Sequence, residues 1–214
     1  MHVARCACII IPMANAPHTG NAPLAGSVTW DDFVRLEDDD RRELIDGVLV
    51  EVEVPTEIHE YIVMLLAYYL VGWAKPRNAG HGLASGYKVK ISERRGVMPD
   101  VQFFRRGSKA ERKSVGLESG HPDLAVEIIS TSSVRYDRMT KLNWYASIGV
   151  PEYWIIDPFA KTLERLLLQS SRQYLLAEVV GEDAVFKPDT FAGLEIPLAE
   201  LWTIPGDEDQ SEKD

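Results

Sequence analysis

The sequence predicts a mixed α/β domain whose central part has the order helix, strand, strand, strand, helix, strand. An apolar run, Tyr61–Ala74, is shorter than the roughly 18 residues needed to cross a membrane and predicts a buried helix. The segments 124–129 and 153–156 are apolar along their whole length, which is typical of strands buried on both faces. A hairpin before this core and an antiparallel meander after it complete one domain over residues 28–205.

The segments outside this domain have the composition of disordered chain. Residues 1–27 are rich in Ala, Pro and Gly, and residues 206–214 are mostly acidic. Both cysteines, Cys6 and Cys8, lie in the first segment, and a lone Cys-x-Cys is a weak metal motif. With no other thiol in the chain, a reducing compartment is the simplest interpretation, so we expect a cytoplasmic protein.

Local signals mark the first elements. Thr29 followed by Asp32 predicts a capped helix start. Asp46-Gly47 lies between two apolar runs in the segment Glu43–Val52, and this dipeptide favours the tight turn of a β-hairpin. Pro55 is expected to end the second strand.

The central elements follow from apolar patterning and breakers. The main helix is predicted over Glu57–Trp73 and is broken by the segment 75–80, which contains Pro76 and Gly80. A second helix is predicted over Arg135–Ile148, with Gly149 at its end. The predicted strands are Gly86–Ile91, Met98–Phe104, Asp123–Ser130 and Tyr153–Ile156, followed by a meander of Leu163–Gln169, Tyr174–Val180 and Ala184–Lys187.

Charge is unevenly distributed. The 23 Lys and Arg against 33 Asp and Glu give a net charge of −10, which argues against a general nucleic-acid coat. The segment Lys88–Lys113, however, holds nine basic and three acidic residues. It is either a solvated basic loop or a surface that faces phosphates.

Two acids stand in or beside apolar strands. Glu127 interrupts Leu-Ala-Val-Glu-Ile-Ile, and a buried carboxylate needs a pairing charge or a metal. Asp100 opens the preceding strand after a proline. Two carboxylates on neighbouring strands suit Mg²⁺, which takes one or two carboxylates and keeps several waters. The alternative for Glu127 is a structural ion pair.

Further candidate side chains lie on the helices. Asp137, Lys141 and Tyr145 are spaced four residues apart and therefore share a helix face. They form either a surface ion pair beside a tyrosine or a group in which Lys141 folds back toward Glu127. His59 in the first turn of the main helix and Glu43 in the hairpin are weaker candidates.

In this order, the motifs resemble the Uma-two family, endonucleases of the PD-(D/E)XK, or restriction-endonuclease-like, superfamily. The resemblance extends from about Thr29 to Trp202. The segments that carry it are Glu43–Gly47, His59, Pro99–Val101, Pro122–Ser130 and the segment 137–157.

The resemblance implies a restriction-endonuclease-like mixed sheet flanked by helices and a role for each matching residue. Asp100, Glu127 and the carbonyl of Ile128 would bind Mg²⁺, or Mn²⁺. The superfamily lysine normally follows the middle acid by two residues, but that position is Ile129 here. Lys141 resembles a migrated lysine that orients the attacking water. Accessory positions are Glu43, His59, Asp137 and Tyr145.

Two functions follow as hypotheses. The first is a metal-dependent endonuclease that acts on nucleic acid, with DNA as the expected substrate. The second is a scaffold without catalytic activity that binds nucleic acid or protein and retains the nuclease fold, which Ile129 and the net charge of −10 favour. No membrane association is expected, and the sequence is compatible with a homodimer.

Overall fold

The computed structural model describes residues 27–37 and 40–206. Apart from residues 27 and 206, the segments 1–27 and 206–214 lie outside the described residues, so their expected disorder stays a prediction. Cys6 and Cys8 also lie outside the described residues. Within the described residues, no helix combines the length and apolar character needed to cross a bilayer.

The helices and strands follow the predicted order, with additional short strands. The helices are α1 (Trp30–Phe33), α2 (Glu57–Arg77) and α3 (Leu142–Ile148), and α3 continues a π-helical segment, Tyr136–Lys141. The strands are β1 (Arg42–Ile45), β2 (Val48–Glu51), β3 (Gly80–Ala84), β4 (Lys88–Ser92), β5 (Arg95–Val97), β6 (Val101–Arg105), β7 (Glu111–Arg112), β8 (Gly116–Ser119), β9 (Leu124–Ile128), β10 (Glu152–Asp157), β11 (Thr162–Leu168), β12 (Tyr174–Gly181), β13 (Val185–Phe186) and β14 (Ile196–Pro197).

The core sheet has the strand order β12-β11-β10-β9-β6-β3, and a second sheet has the order β2-β1-β5-β4-β8-β7. In the core sheet β9 and β10 are parallel and joined through α3, whereas the other pairs are antiparallel. The predicted helix-strand-strand-strand-helix-strand order is therefore confirmed as α2-β3-β6-β9-α3-β10.

Each face of the core sheet is covered by a helix. Alternate residues of β9 divide between the faces: Val126 packs with α2, and Ala125 packs with α3. The second sheet adds Val89, Val97 and Leu117 to the α3 side. Because both faces are buried, β9 and β10 have the apolar sequences from which they were predicted.

The predicted hairpin, the capped helix start at Thr29 and the helix end at Gly149 are confirmed. β1 and β2 pair across Asp46 and Gly47, both of which have positive φ. Thr29 and Asp32 form a reciprocal capping box. Gly149 ends α3 with a left-handed backbone.

Three predictions were wrong. Helix α2 continues through Pro76 to Arg77, because a proline two residues from the end at Asn78 removes only one helical hydrogen bond. The first of the three core strands is β3, which pairs with β6, whereas the predicted strand at Gly86–Ile91 is β4 of the second sheet. Strand β13 pairs with β14 in a separate ribbon and does not extend the meander.

The basic segment Lys88–Lys113 is also not a loop. It contains β4, β5 and β7 of the second sheet and β6 of the core sheet. Strands β5 and β7 could not be predicted, because strands of two or three residues are too short to show an apolar alternation.

Gly80, at the start of β3, provides a test of the α2–β3 junction. Its φ is +148°, and an added Cβ would lie 2.1 Å from the carbonyl oxygen of Phe104. Gly107 also has positive φ, at +81°, but an added Cβ there meets nothing within 4 Å. Gly107→Ala is therefore expected to cost about 1 kcal/mol from backbone strain alone, and Gly80→Ala about 3 kcal/mol or more. Urea unfolding measures both, and equal losses would contradict this close packing.

Candidate active site

The candidate site begins where β6 and β9 lie side by side. Val101 is opposite Val126 in this antiparallel pair, so Asp100 is brought to the end of β9 that carries Glu127 and Ile128. The backbone N–H of Ile128 donates a hydrogen bond of 2.8 Å to Oδ2 of Asp100. The two predicted acids are therefore held on neighbouring strands.

Lys141 reaches the same place from the helix that follows β9. Its Nζ lies 2.9 Å from Oε2 of Glu127, 3.3 Å from Oε1 of Glu43 and 3.5 Å from Oδ1 of Asp137. The side chain of Lys141 is only 7% exposed. The alternative of a surface ion pair is thus wrong, and the structure places Lys141 against Glu127.

The π-helical segment Tyr136–Lys141 carries both Asp137 and Lys141. Such wider turns occur mostly as short insertions in α-helices, frequently at functional sites. The aromatic ring of Tyr136 lies 5.3 Å from Nζ of Lys141. Tyr136 was not among the predicted site residues, and in the sequence only its position next to Asp137 indicates it.

Tyr145 holds the second oxygen of Glu127. Its hydroxyl donates a hydrogen bond of 2.5 Å to Oε1. With Lys141 at Oε2, both carboxylate oxygens of Glu127 have a partner although the residue is buried. Tyr145 is itself fully buried and does not line the cavity described below.

Glu43 and His59 complete the site from other elements. Glu43 in β1 accepts a hydrogen bond of 2.9 Å from the N–H of Met98 at Oε1, but its buried Oε2 has no hydrogen-bond partner among the described residues. His59 lies in the first turn of α2, with Nε2 3.3 Å from Oδ2 of Asp100. Its Nδ1 is also buried without a partner in the described part of the chain.

The site contains more negative than positive charge. Burial raises the pKa of Glu127 well above its usual value, and burial likewise raises the pKa of Asp137. Burial opposes the charge on Lys141, but the surrounding carboxylates led by Glu127 raise its pKa well above normal, so it stays protonated. For His59, burial is also outweighed by Asp100, and the pKa is raised.

These side chains open onto a cavity of about 430 Å³. Its charged and imidazole lining consists of Asp40, Glu43, Glu53, Glu60, Asp100, Glu127 and Asp137, with Arg41, Lys141 and His59. Phe159, on the turn after β10, lines it as well and is 69% exposed. Seven carboxylates against three cationic groups make this cavity attractive to cations.

Two carboxylates of the site are donors of the type that a hydrated magnesium ion takes. No cluster of three or more His, Cys, Asp or Glu side chains suitable for a metal is found in residues 27–37 and 40–206. Asp100 and Glu127 nevertheless supply two carboxylates, which is the number that Mg²⁺ commonly takes while it keeps several waters. The unpartnered Oε2 of Glu43 adds negative charge to the same lining.

The basic segment does not converge on this cavity. Arg105 is at the opposite end of β6 from Asp100, about 16 Å along the strand. Its guanidinium lies 4.6 Å from the centre of the Phe191 ring, and that of Arg112 lies 5.1 Å from the centre of the Phe104 ring. These cations pack on the protein's own aromatic rings, and the expected phosphate-facing role of the segment stays a prediction.

Comparisons with known proteins agree with this architecture. A family model described as "Uma2: Putative restriction endonuclease" matches residues 30–199. A crystal structure of a putative nuclease belonging to DUF820 from Anabaena variabilis aligns with a TM-score of 0.66 at 20% identity, covering 82% of this chain and 97% of that one. An uncharacterized protein of Synechocystis sp. is 37% identical over 87 residues, or 40% of this chain. The match spans about half (49%) of that relative's length.

Replacement of Lys141 tests the buried charge cluster. Lys141→Met removes the cation shared by three carboxylates, which we expect to cost about 3–5 kcal/mol at neutral pH. The control is Arg138→Met in the same π-helical segment. Arg138 pairs with Glu164 at 2.7 Å but is 31% exposed, so a loss within about 1 kcal/mol is expected.

The loss in Lys141→Met should shrink as the pH falls. Burial raises the pKa of Glu127 and of Asp137, and Lys141 opposes that rise, so without Lys141 both carboxyls bind protons at a higher pH than in the folded wild type or in the unfolded chain. At a pH below these folded-state pKa values, protonation of the two carboxyls therefore stabilises the variant. The gain stops increasing at the pH where the unfolded chain also binds these protons. Urea unfolding at several pH values measures this. A Lys141→Met loss no larger than that of Arg138→Met would contradict the buried cluster.

Proposed function

The chain belongs to the Uma2 putative restriction endonuclease family, and from this membership we propose that it is a metal-dependent endonuclease that hydrolyses phosphodiester bonds in nucleic acid, with DNA as the expected substrate. The observation that carries the proposal is the convergence on one cavity of Asp100, Glu127 and Lys141 from two adjacent strands and the following helix.

Asp100 and Glu127, with the carbonyl of Ile128, are the residues that would hold Mg²⁺ or Mn²⁺. When bound, such an ion neutralises charge on the phosphate and lowers the pKa of a coordinated water. The hydrogen bond from the Ile128 N–H fixes the Asp100 carboxylate, and His59 approaches the same oxygen. Tyr145 fixes Glu127 from the other side.

Lys141 is the candidate for positioning the attacking water. Glu127, Glu43 and Asp137 surround its ammonium group, so its place is set before substrate arrives. The side chain after Glu127 on the same strand face is Ile129, which is buried on the α3 side of the sheet. Lys141 enters from that side, and it therefore supplies the positive charge that position 129 lacks.

The excess of carboxylates also supports a role for a bound metal ion. A phosphodiester that enters a cavity lined by seven acids meets strong repulsion unless a cation is present. Arg41 and the hydroxyl residues Thr56, Ser130 and Ser133 line the same cavity and are available to contact phosphate oxygens. Metal binding would therefore precede or accompany nucleic-acid binding.

The alternative, a scaffold that retains the fold without catalysis, predicts a different outcome. In that case the carboxylates act only as partners of Lys141, and Mg²⁺ has no effect on stability or on nucleic-acid binding. The net charge of −10 and Ile129 are compatible with it. Metal titration and cleavage assays on matched variants distinguish the two hypotheses.

The structure offers a matched pair of aspartates for this test. Asp100 and Asp123 each accept a backbone N–H of the neighbouring strand at 2.8 Å, from Ile128 and Arg105 respectively, at opposite ends of the β6–β9 pair. Asp100→Asn and Asp123→Asn should therefore cost similar stability, because an amide oxygen still accepts the bond. Only Asp100 lines the cavity.

In a thermal-shift titration, Mg²⁺ or Mn²⁺ at a hundredfold excess over its Kd should stabilise the wild type by about 2.7 kcal/mol. Asp123→Asn should keep this stabilisation, and Asp100→Asn should lose it. A wild type whose unfolding ignores both ions would contradict metal binding by these residues.

In a cleavage assay with duplex and single-stranded DNA and RNA, the wild type and Asp123→Asn should cut in Mg²⁺ and stop in EDTA. The cleavage rate of Asp100→Asn should fall by at least about a hundredfold, because a charged residue that would hold the metal ion is removed. Equal activity of the two variants would show that cleavage arises elsewhere or from a contaminant.

A further inference from the structure

Helix α2 carries an apolar stripe on the face that points away from the core. Ile62, Leu66 and Leu70 are buried beneath the helix, whereas Met64, Tyr68 and Val71 are 57%, 68% and 43% exposed. Together with half-buried Tyr61, these residues are spaced by three or four positions along the helix. That narrow spacing is typical of a seam between two helices, not of a solvated face.

The stripe is symmetric about position 66. Met64 and Tyr68 lie on either side of it at equal spacing, as do Tyr61 and Val71 and, further out, Glu57 and Lys75. If two such helices pack antiparallel, the two members of each pair meet across a two-fold axis. A two-fold interface has this property, because each residue that contacts another is contacted by it in return.

The ends of the stripe have complementary charge. Glu57 and Glu60 lie in the first turn and Lys75 in the last. Neither Glu57 nor Lys75 makes an ion pair with another described residue. In an antiparallel pair, Glu57 would face Lys75 of the partner subunit at both ends, whereas a parallel pair would place like charges together.

Gly72 allows a second helix to approach α2 closely on the face of the stripe. A glycine inside a helix costs about 1 kcal/mol relative to alanine, so a packing reason is expected. An added Cβ at Gly72 would meet nothing within 4 Å, and the residue lines a shallow groove with Tyr68, Trp73 and Leu194. The groove leaves space for a side chain from a second molecule.

We propose that two copies of this chain associate through the exposed face of α2 as an antiparallel helix pair with two-fold symmetry. Met64 packs against Tyr68 of the partner subunit, Tyr61 against Val71 of the partner subunit, and Glu57 pairs with Lys75 of the partner subunit. The two cavities then lie at opposite ends of the helix pair, because His59 is in the first turn of α2. The association requires neither metal nor nuclease activity.

Sedimentation velocity of the full chain over a range of concentrations measures the association. The wild type should be a dimer, and Tyr68→Glu should weaken it by roughly a hundredfold or more, because a charge enters the centre of the interface. The control is Val179→Glu on β12, where an apolar residue that is 53% exposed lies outside the stripe, and the dimer should persist. Thermal unfolding verifies that both variants are folded.

A charge swap tests the antiparallel arrangement itself. Glu57→Lys and Lys75→Glu should each weaken the dimer about tenfold, because like charges then meet at both ends of the helix pair. The double variant E57K/K75E should restore it, since every pair is again of opposite sign. A monomeric wild type, as would result if another part of the same chain covered the stripe, overturns the proposal. So does a dimer that is insensitive to Tyr68→Glu, or a double variant no better than the single ones.

Discussion

The interaction on which the candidate site depends is the burial of one ammonium group among three carboxylates. Glu127 comes from the core sheet, Glu43 from the second sheet and Asp137 from the π-helical segment, and all three lie within 3.5 Å of Nζ of Lys141. None of these carboxylates is stable in the interior alone, since an unpaired buried charge costs several kcal/mol. The cluster therefore joins the two sheets and the helix at the point where the cavity forms.

The core strands could be predicted because a strand that is buried on both faces has an apolar sequence along its whole length. An apolar strand such as β9 has no polar face, so an acid within it, Glu127, stands out and must have a partner. The second sheet could not be predicted in the same way. Its strands β5 and β7 are two or three residues long, so their pairing is fixed by tertiary contacts and not by local preference. In the core sheet, β3 was missed for a related reason, because Gly80 and Gly82 weaken its strand pattern.

Charge counts along the chain were a poor guide to where charge acts. The basic segment Lys88–Lys113 folds largely into strands, and several of its cations stack on aromatic rings or pair with nearby acids, as Lys90 does with Glu93. The acids of the cavity come from several segments that are distant in sequence, and only the fold brings them together. A sequence reveals a residue's charge, but the fold decides whether that charge is partnered.

Three buried polar atoms beside the cluster have no hydrogen-bond partner in the described part of the chain. They are Oε2 of Glu43, Nδ1 of His59 and the hydroxyl of Tyr136. Buried polar atoms are nearly always hydrogen-bonded, so a buried polar atom without a partner indicates a contact with water, a ligand or an ion. Lys141 pairs with three other carboxylates, whereas Asp100 has the imidazole of His59 3.3 Å from its Oδ2. In the proposed nuclease, this balance of charge would favour a divalent cation before a phosphate, which is the order of binding that a metal-dependent mechanism requires.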